Sequence, residues 1–396
     1  MIYDTIIVGS GLSGLNSALK LKNKNILLLE KNDRLGGRVA TQYFKNYKFE
    51  AGCARYNENH KNLRKLIKKF KLTEIKIPSS WTNINTKNIE VKFKDVNKLV
   101  EELVRLGEKK PKSFLMKLTL YQLCKELMGE KYADYLGMNH PYYSEIYVQN
   151  SYDALKSVKI DLNESKQFYI VAEGLSELIK RMAQELKGKI KLNHQLIDFK
   201  KNNDIFNLEI NNKSSKKILK TKRLILAMDS YGLKKIKYLN FMKNELNSVQ
   251  CEPLFRIYQK YPKKNNKMWF QDLGKIVTDN KIRYIIPINT DEGIIMISYT
   301  DGKYTKYWKK KMEENKLEET IKKELDKLFP NNEIPKPTWT KPYYWSLGAC
   351  YWKPNYDSEK LIPKIKNPMK NLYICGSNYS NRQAWMEGAL ENSNFF

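Results

Sequence analysis

Tyr3-Asp4-Thr5-Ile6-Ile7-Val8 runs without a break into Gly9-Ser10-Gly11-Leu12-Ser13-Gly14 and then into Leu15-Asn16-Ser17-Ala18-Leu19-Lys20-Leu21. The first run is largely apolar and β-branched, the pattern of a strand buried on both faces, and the last has helical periodicity. A second apolar run, Asn25-Ile26-Leu27-Leu28-Leu29-Glu30, ends in an acid 21 residues after Gly9. Glycines at these spacings let the backbone turn tightly, approach a pyrophosphate and pack helix against strand. The helix N-terminus turns its N–H groups and the positive end of its dipole toward the phosphates. Glu30 is placed to accept hydrogen bonds from an adenosine ribose. Glycines alone would make only a turn. With both strands, the helix and the acid in register, they predict a dinucleotide-binding fold.

Bulk properties bound the rest. The chain has 396 residues, with 72 Lys+Arg against 43 Asp+Glu and a formal charge of +29. Hydrophobic residues are 41% of it, enough for large buried cores, so a disordered basic tail is excluded as the whole molecule. The N-terminus lacks a basic segment followed by an apolar one, and no apolar stretch approaches about 18 residues, so neither a secretory leader nor a membrane span is expected. The five cysteines, Cys53, Cys124, Cys251, Cys350 and Cys375, are scattered without a CxxC pair. That spacing predicts a reducing intracellular compartment, without a disulfide framework or a zinc site. Three histidines make a His-rich metal centre or a His-dependent hydrolase a poor fit, and no metal is expected.

Further motifs extend the cofactor reading. Asp33-Arg34-Leu35-Gly36-Gly37-Arg38 follows Glu30 and Lys31, and Phe49-Glu50-Ala51-Gly52-Cys53-Ala54-Arg55-Tyr56 comes next. Near the other end, Asn371-Leu372-Tyr373-Ile374-Cys375-Gly376-Ser377 reads as a strand entering a glycine turn, and Ala384-Trp385-Met386-Glu387-Gly388 as a helix start. Together these segments resemble the flavin-containing amine oxidase family, which includes monoamine, polyamine and L-amino-acid oxidases. The resemblance is strongest over 3–56 and 339–391 and covers most of the chain. Within it, Val171-Ala172-Glu173-Gly174 looks like the entry to a helix. Ile190 to Leu196 looks like the strand that grips the adenine, and Leu224 to Met228 like the strand that returns beneath the cofactor.

The resemblance implies an α/β fold: a Rossmann-like FAD-binding domain interleaved with an α+β substrate domain. Residues 1–75, 166–240 and 350–396 would form the first, and 76–165 and 241–349 the second. The cofactor implied is FAD, contacted by Gly9, Ser10, Gly11, Leu12, Ser13, Gly14, Glu30, Lys31, Arg38, Gly52, Cys53, Ala54, Arg55, Leu196, Cys350, Gly376, Ser377, Trp385 and Met386. Backbone N–H groups at Trp385-Met386 would face the O2 and N1 side of the flavin. Gly348-Ala349-Cys350-Tyr351 is similar to the segment whose cysteine carries flavin through a thioether in monoamine oxidases. Elsewhere in the family the position is often not cysteine and FAD is noncovalent, and both readings of Cys350 stand.

The same resemblance places Tyr351 and Trp385 at the two walls of an aromatic cage that steers an amine to the flavin. Arg55 aligns with an arginine that pairs with the substrate carboxylate in L-amino-acid oxidases, though an arginine there also suits a cofactor contact or a structural role. Arg256 stands where many members place a lysine beside the flavin; its guanidinium is planar, bulkier and permanently charged. Gly376-Ser377 replaces the more usual Gly-Glu. The activity implied is hydride transfer from an amine or amino acid to flavin N5, with reoxidation by O2 to hydrogen peroxide. Two alternatives remain: another flavoenzyme of the same fold, such as a desaturase, porphyrinogen-type oxidase or sugar-nucleotide mutase; or an FAD-binding protein with reduced catalysis and a structural or polyanion-binding role. The +29 charge predicts weak, salt-sensitive, nonspecific polyanion or nucleic-acid association, and it should repel free polyamines unless the site mouth is locally acidic. A soluble protein without a membrane anchor is expected.

Overall fold

The computed structural model describes residues 1–78, 80–162, 167–212 and 215–395. The chain divides into two compact units. The first comprises Met1–Pro78, Lys166–Gln250 and Tyr356–Phe396, and the second Ser79–Ser165 and Cys251–Asn355.

In the first unit the strand Ile2–Val8 lies at the centre of a seven-stranded sheet. On one side it pairs in parallel with Ile26–Leu29, which pairs in turn with Ile190–Lys191. On the other side it runs parallel to the end of Ser215–Leu226, which also takes Leu372–Ile374 as a parallel neighbour. The run of four buried residues in Ile26–Leu29 is what a parallel strand covered on both faces requires. The same long strand, Ser215–Leu226, continues outward as an antiparallel meander with Ile205–Asn212 and His194–Asn202. Leu12–Lys20 is the helix after the glycine loop, and Leu15 and Ala18 pack with Ile7, Leu28 and Ile225. The basic segment after His60 forms the helix Lys61–Lys69, burying Leu63 and Ile67 and turning its lysines outward. Its N-terminus is held by the buried Glu387 carboxylate, which accepts from the N–H groups of Asn62 (2.9 Å) and Leu63 (3.0 Å).

The second unit is built on a six-stranded sheet in the order Trp339–Trp352, Val249–Lys260, Ile294–Asp301, Tyr284–Asn289, Lys275–Val277, Trp81–Asn83. Its helices include Val96–Gly107, Leu120–Met128, Glu130–Asn139 and Ser151–Leu162. The first two start at designed caps: Asp95 accepts from the Lys98 N–H at 3.0 Å, and Thr119 forms a reciprocal capping box with Gln122. Arg283, 2% exposed and at φ 62°, donates to the carbonyls of Gly137, Met138 and His140 as well as Thr278. The guanidinium thus satisfies the end of the helix Glu130–Asn139, the position where a cation complements the helix dipole.

Lys303–Glu313 and Leu317–Leu328 form two successive helices of this unit. They are broken by Asn315, which adopts φ 56°; Asn tolerates that left-handed conformation better than most residues. The expected boundary at 349/350 falls instead after Asn355, because Trp339–Trp352 is one continuous strand of the second unit. And the scattered cysteines do make a disulfide: Cys251 is bonded to Cys350 across neighbouring strands, 99 residues apart in sequence. A thioether from Cys350 to flavin is therefore corrected, since its sulfur is already bonded.

Among the described residues no helix is long and apolar enough to cross a membrane. Cys53, Cys124 and Cys375 remain as thiols. Thiol titration of the denatured protein should find these three reactive sulfhydryls, and five after reduction. Five without reductant would contradict the bond.

Candidate functional site

In the first unit the glycine loop is shaped by atoms that leave no room for side chains. Gly9 adopts φ 102°, and a Cβ on Gly14 would lie 1.9 Å from the Gly9 carbonyl oxygen. Gly11 is the opposite case: a Cβ there would meet nothing within 4 Å, so the loop presents open space at this point. The helix Leu12–Lys20 begins at Gly11 with no side-chain cap on its first N–H groups. A backbone concavity with outward-facing N–H groups at a helix N-terminus suits a phosphate.

Glu30 closes the next strand and is 5% exposed. One carboxylate oxygen accepts from the Ser10 N–H (2.9 Å) and hydroxyl (2.6 Å), and the other from the Asn32 N–H (3.0 Å) and side-chain amide (2.9 Å). The acid therefore pins the glycine loop to the strand end. The backbone of the segment leading to Leu196 lies alongside, with the His194 N–H donating to the Glu30 carbonyl at 2.8 Å. Leu196 itself is buried. Lys31 stands apart in a 3.6 Å ion pair with Asp229.

Other sequence candidates converge on the same loop. The Gly36 N–H donates to the Ser10 carbonyl at 3.0 Å, and a Cβ on Gly37 would lie 3.3 Å from Gly11 Cα. Arg38 donates to the Ser377 hydroxyl at 2.7 Å and the Asn378 side-chain oxygen at 3.1 Å, tying the second glycine pair to the turn after Leu372–Ile374. The Cys53 N–H donates to the Arg38 carbonyl at 2.9 Å, bringing Gly52 and Ala54 beside it. A Cβ on Gly376 would approach both Ser13 Oγ and the Met228 carbonyl at 3.9 Å. Segments from three distant parts of the sequence thus line one region of this unit.

Arg55 and Trp385 form a second cluster of the first unit. The Arg55 guanidinium lies 5.1 Å from the centre of the Phe168 ring, whose centroid is 6.3 Å from that of Trp385. His60 packs edge-on to Trp385 at 4.9 Å. Phe168 and His60 were missed in the sequence, where each is a lone aromatic without a motif. Met386, buried, begins the helix Met386–Asn392.

Tyr351, Arg256 and Cys350 belong to the second unit. Arg256 is 5% exposed, and its guanidinium sits 4.6 Å over the Tyr299 ring, its partner across the sheet. Tyr299 stacks with Tyr284 (6.3 Å, 9° between planes), and Tyr142 meets both edge-on, at 5.6 Å and 6.2 Å respectively. Tyr351 is 5% exposed; burial pushes its phenol well above the usual value, and the charges of Glu145 and Asp301 push the same way. Asp301 is buried and committed, accepting from the N–H groups of Tyr143 and Ser144 at 2.8 Å each. Beside this cluster the His140 ring lies against the Tyr142 backbone, with its Nε2 3.7 Å from Glu145.

Burial pushes His140 down to about 4, the nearby Arg283 acting the same way. A pKa below the unfolded value means that the unfolded chain takes up this proton first as pH falls below about 6.5. Stability from this site is present above that pH and is lost as pH falls through 4. Between pH 7 and 5, measured by urea titration, His140→Gln should remove about 2 kcal/mol of the pH-dependent loss. An unchanged pH slope would exclude a buried neutral imidazole.

Comparison with known proteins gives the family. The model of the family "flavin containing amine oxidoreductase" matches residues 12–393, and the chain belongs to that family. An uncharacterised protein of Acanthamoeba polyphaga mimivirus is 23% identical over 482 residues, covering 98% of this chain and 92% of that protein. An L-amino acid oxidase of Bothrops pictus is 22% identical over 446 residues, covering 98% and 88%. A solved structure of putrescine oxidase bound to putrescine superimposes with a TM-score of 0.79 at 16% identity, covering 99% and 97%. The chain is thus an oxidoreductase of a flavin-dependent family, with a mixed α/β fold like that of solved amine oxidases.

Proposed function

We propose that this protein oxidises the carbon–nitrogen bond of an amine or amino acid with a noncovalently held FAD. The observation that carries the cofactor assignment is the open space at Gly11, framed by Gly37, the Leu12–Lys20 N-terminus and the Glu30 anchor. The first unit is the FAD-binding domain and the second the substrate domain. A bound FAD would supply the two-electron chemistry: the amine would lose a hydride from carbon and a proton from nitrogen to become the imine, and O2 would take up the two electrons and two protons as hydrogen peroxide.

Each residue takes a role that its position supports. The N–H groups of Gly11 to Gly14 hold the pyrophosphate. Glu30 keeps the glycine loop in place, with all of its carboxylate lone pairs taken by Ser10 and Asn32. Ser10 and Leu12 shape the loop, while the backbone near Leu196 borders the adenosine end. Arg38, Gly52, Cys53, Ala54, Gly376 and Ser377 line the path of the extended cofactor. The disulfide withdraws Cys350 from the flavin. Trp385 in the first unit supplies an aromatic surface to an amine, and Tyr351 is a buried aromatic of the substrate domain. Arg55, stacked on Phe168 beside Trp385, is the guanidinium suited to a substrate carboxylate. Arg256 keeps a fixed positive charge in the substrate domain, stacked on Tyr299.

Two experiments test the reading. Gly11→Ala adds a methyl group where nothing lies within 4 Å, so the apoprotein should melt as wild type does. Its Kd for FAD should rise about tenfold or more, equivalent to about 1.4 kcal/mol. Unchanged FAD affinity would move the phosphate site elsewhere. Second, the flavin-loaded protein mixed anaerobically with a panel of amines and L-amino acids should bleach with at least one of them, and admitted O2 should restore the colour with one peroxide per turnover. Bound flavin that no member of the panel reduces would overturn the amine-oxidising reading.

A further inference from the structure

We infer that the three short helices between Asp229 and Asn247 form a binding surface for single-stranded nucleic acid. Tyr231 and Phe241 are its stacking platforms, and Lys235, Lys237 and Lys243 its phosphate contacts. The inference goes beyond the amine-oxidising reading and does not depend on it.

Ser230–Lys234, Lys237–Met242 and Lys243–Leu246 follow one another closely in the first unit and pack against each other. Leu233, Ile236, Leu239, Met242 and Leu246, three or four residues apart, are all buried. They supply the packing of the segment, and Tyr238 adds a ring contact with the buried Phe199 at 4.7 Å. Tyr231 and Phe241 take no part in that stripe and are 55% and 57% exposed. One exposed apolar side chain is ordinary, whereas two rings on helices that pack together make a patch.

The surroundings of the rings are cationic. Lys235, Lys237 and Lys243 are exposed and make no ion pair among the described residues. Lys235 lies 4.2 Å from the centre of the Tyr231 ring, so cation and ring stand together. Asp229 is already spent on the Gly232 N–H at 2.6 Å and on Lys31 at 3.6 Å. From 230 to 246 the one acid is Glu245, against four lysines. Asn240 and Asn244, both exposed, interleave with them along the chain. A lipid surface takes a continuous apolar face, and here rings, cations and amides alternate. A single strand offers the matching alternation, a base with an open π-face and then a phosphate. In a duplex the bases stack on one another, which closes those faces to both rings. The +29 charge draws polyanions of any kind, and the two rings select the kind whose bases are open.

The test titrates the flavin-loaded protein with a labelled oligothymidylate of about 20 nucleotides, long enough to span such a patch. A duplex of the same length, heparin and phosphatidylserine vesicles are the comparison probes. The double variant Tyr231→Ala/Phe241→Ala should raise the Kd for the oligothymidylate about 10- to 100-fold. Its heparin and duplex affinities, flavin content and melting temperature should match wild type. The triple variant Lys235→Ala/Lys237→Ala/Lys243→Ala should flatten the plot of log affinity against log salt by about 2, as three lost phosphate contacts require. The inference is overturned by wild type that does not bind the oligothymidylate at low salt, or by an unchanged salt slope in the lysine variant. It is overturned equally if the ring variant binds the oligothymidylate as wild type does, or weakens toward heparin to the same degree. Vesicle binding that falls in the ring variant while oligothymidylate binding holds would assign the patch to a lipid surface instead.

Discussion

The close approach of Gly14 to the carbonyl of Gly9 is the constraint on which the first unit depends. A methyl carbon at Gly14 would stand 1.9 Å from that oxygen, so only glycine lets the helix Leu12–Lys20 start directly over the end of the central strand. Once that crossing is made, the other contacts fall into line. Ser10 is held where Glu30 can take both its N–H and its hydroxyl, and the Gly36 turn reaches the Ser10 carbonyl. Arg38 then extends the arrangement to Ser377. Each contact fixes the position of the next, and the open space in front of Gly11 is the shape that remains.

The second unit depends on a different kind of constraint, the satisfaction of buried charge. Arg283 is surrounded by carbonyl oxygens instead of carboxylates, and Asp301 by N–H groups instead of cations. Helix ends supply the partial charges that make burial of both ions tolerable. The two ions in turn hold the loop between Asn139 and Tyr143, where His140 and Tyr142 sit. Ordered polar groups in this region thus follow from a few residues whose side chains would be costly to bury without those partners.

Much of the first unit was legible in the sequence because its signals are local. Strand, glycine turn, helix and acid occupy one continuous stretch, and each residue type has a steric or electrostatic reason that needs no distant partner. What escaped reading depends on residues far apart. Cys251 and Cys350 are neighbours only because the strands that carry them pair. Phe168 shows its significance only when Arg55 and Trp385 pack around it. The unit boundary was expected at 349/350 for a related reason: motif resemblance marks the Gly348–Tyr351 segment, but strand pairing decides which unit it joins.

The segment order of the first unit bears on how the molecule is made. Its sheet is finished by Leu372–Ile374, and its Lys61–Lys69 helix is capped by Glu387, residues that emerge from the ribosome after the whole of the second unit. The second unit closes earlier, since its last strand ends at Trp352. A nascent chain therefore completes the unit encoded in the middle of its message first. The strand Ile2–Val8 and its glycine loop wait, with an incomplete sheet, for the segment that starts at Tyr356. The open space at Gly11 is therefore translated before the second unit and framed only after it.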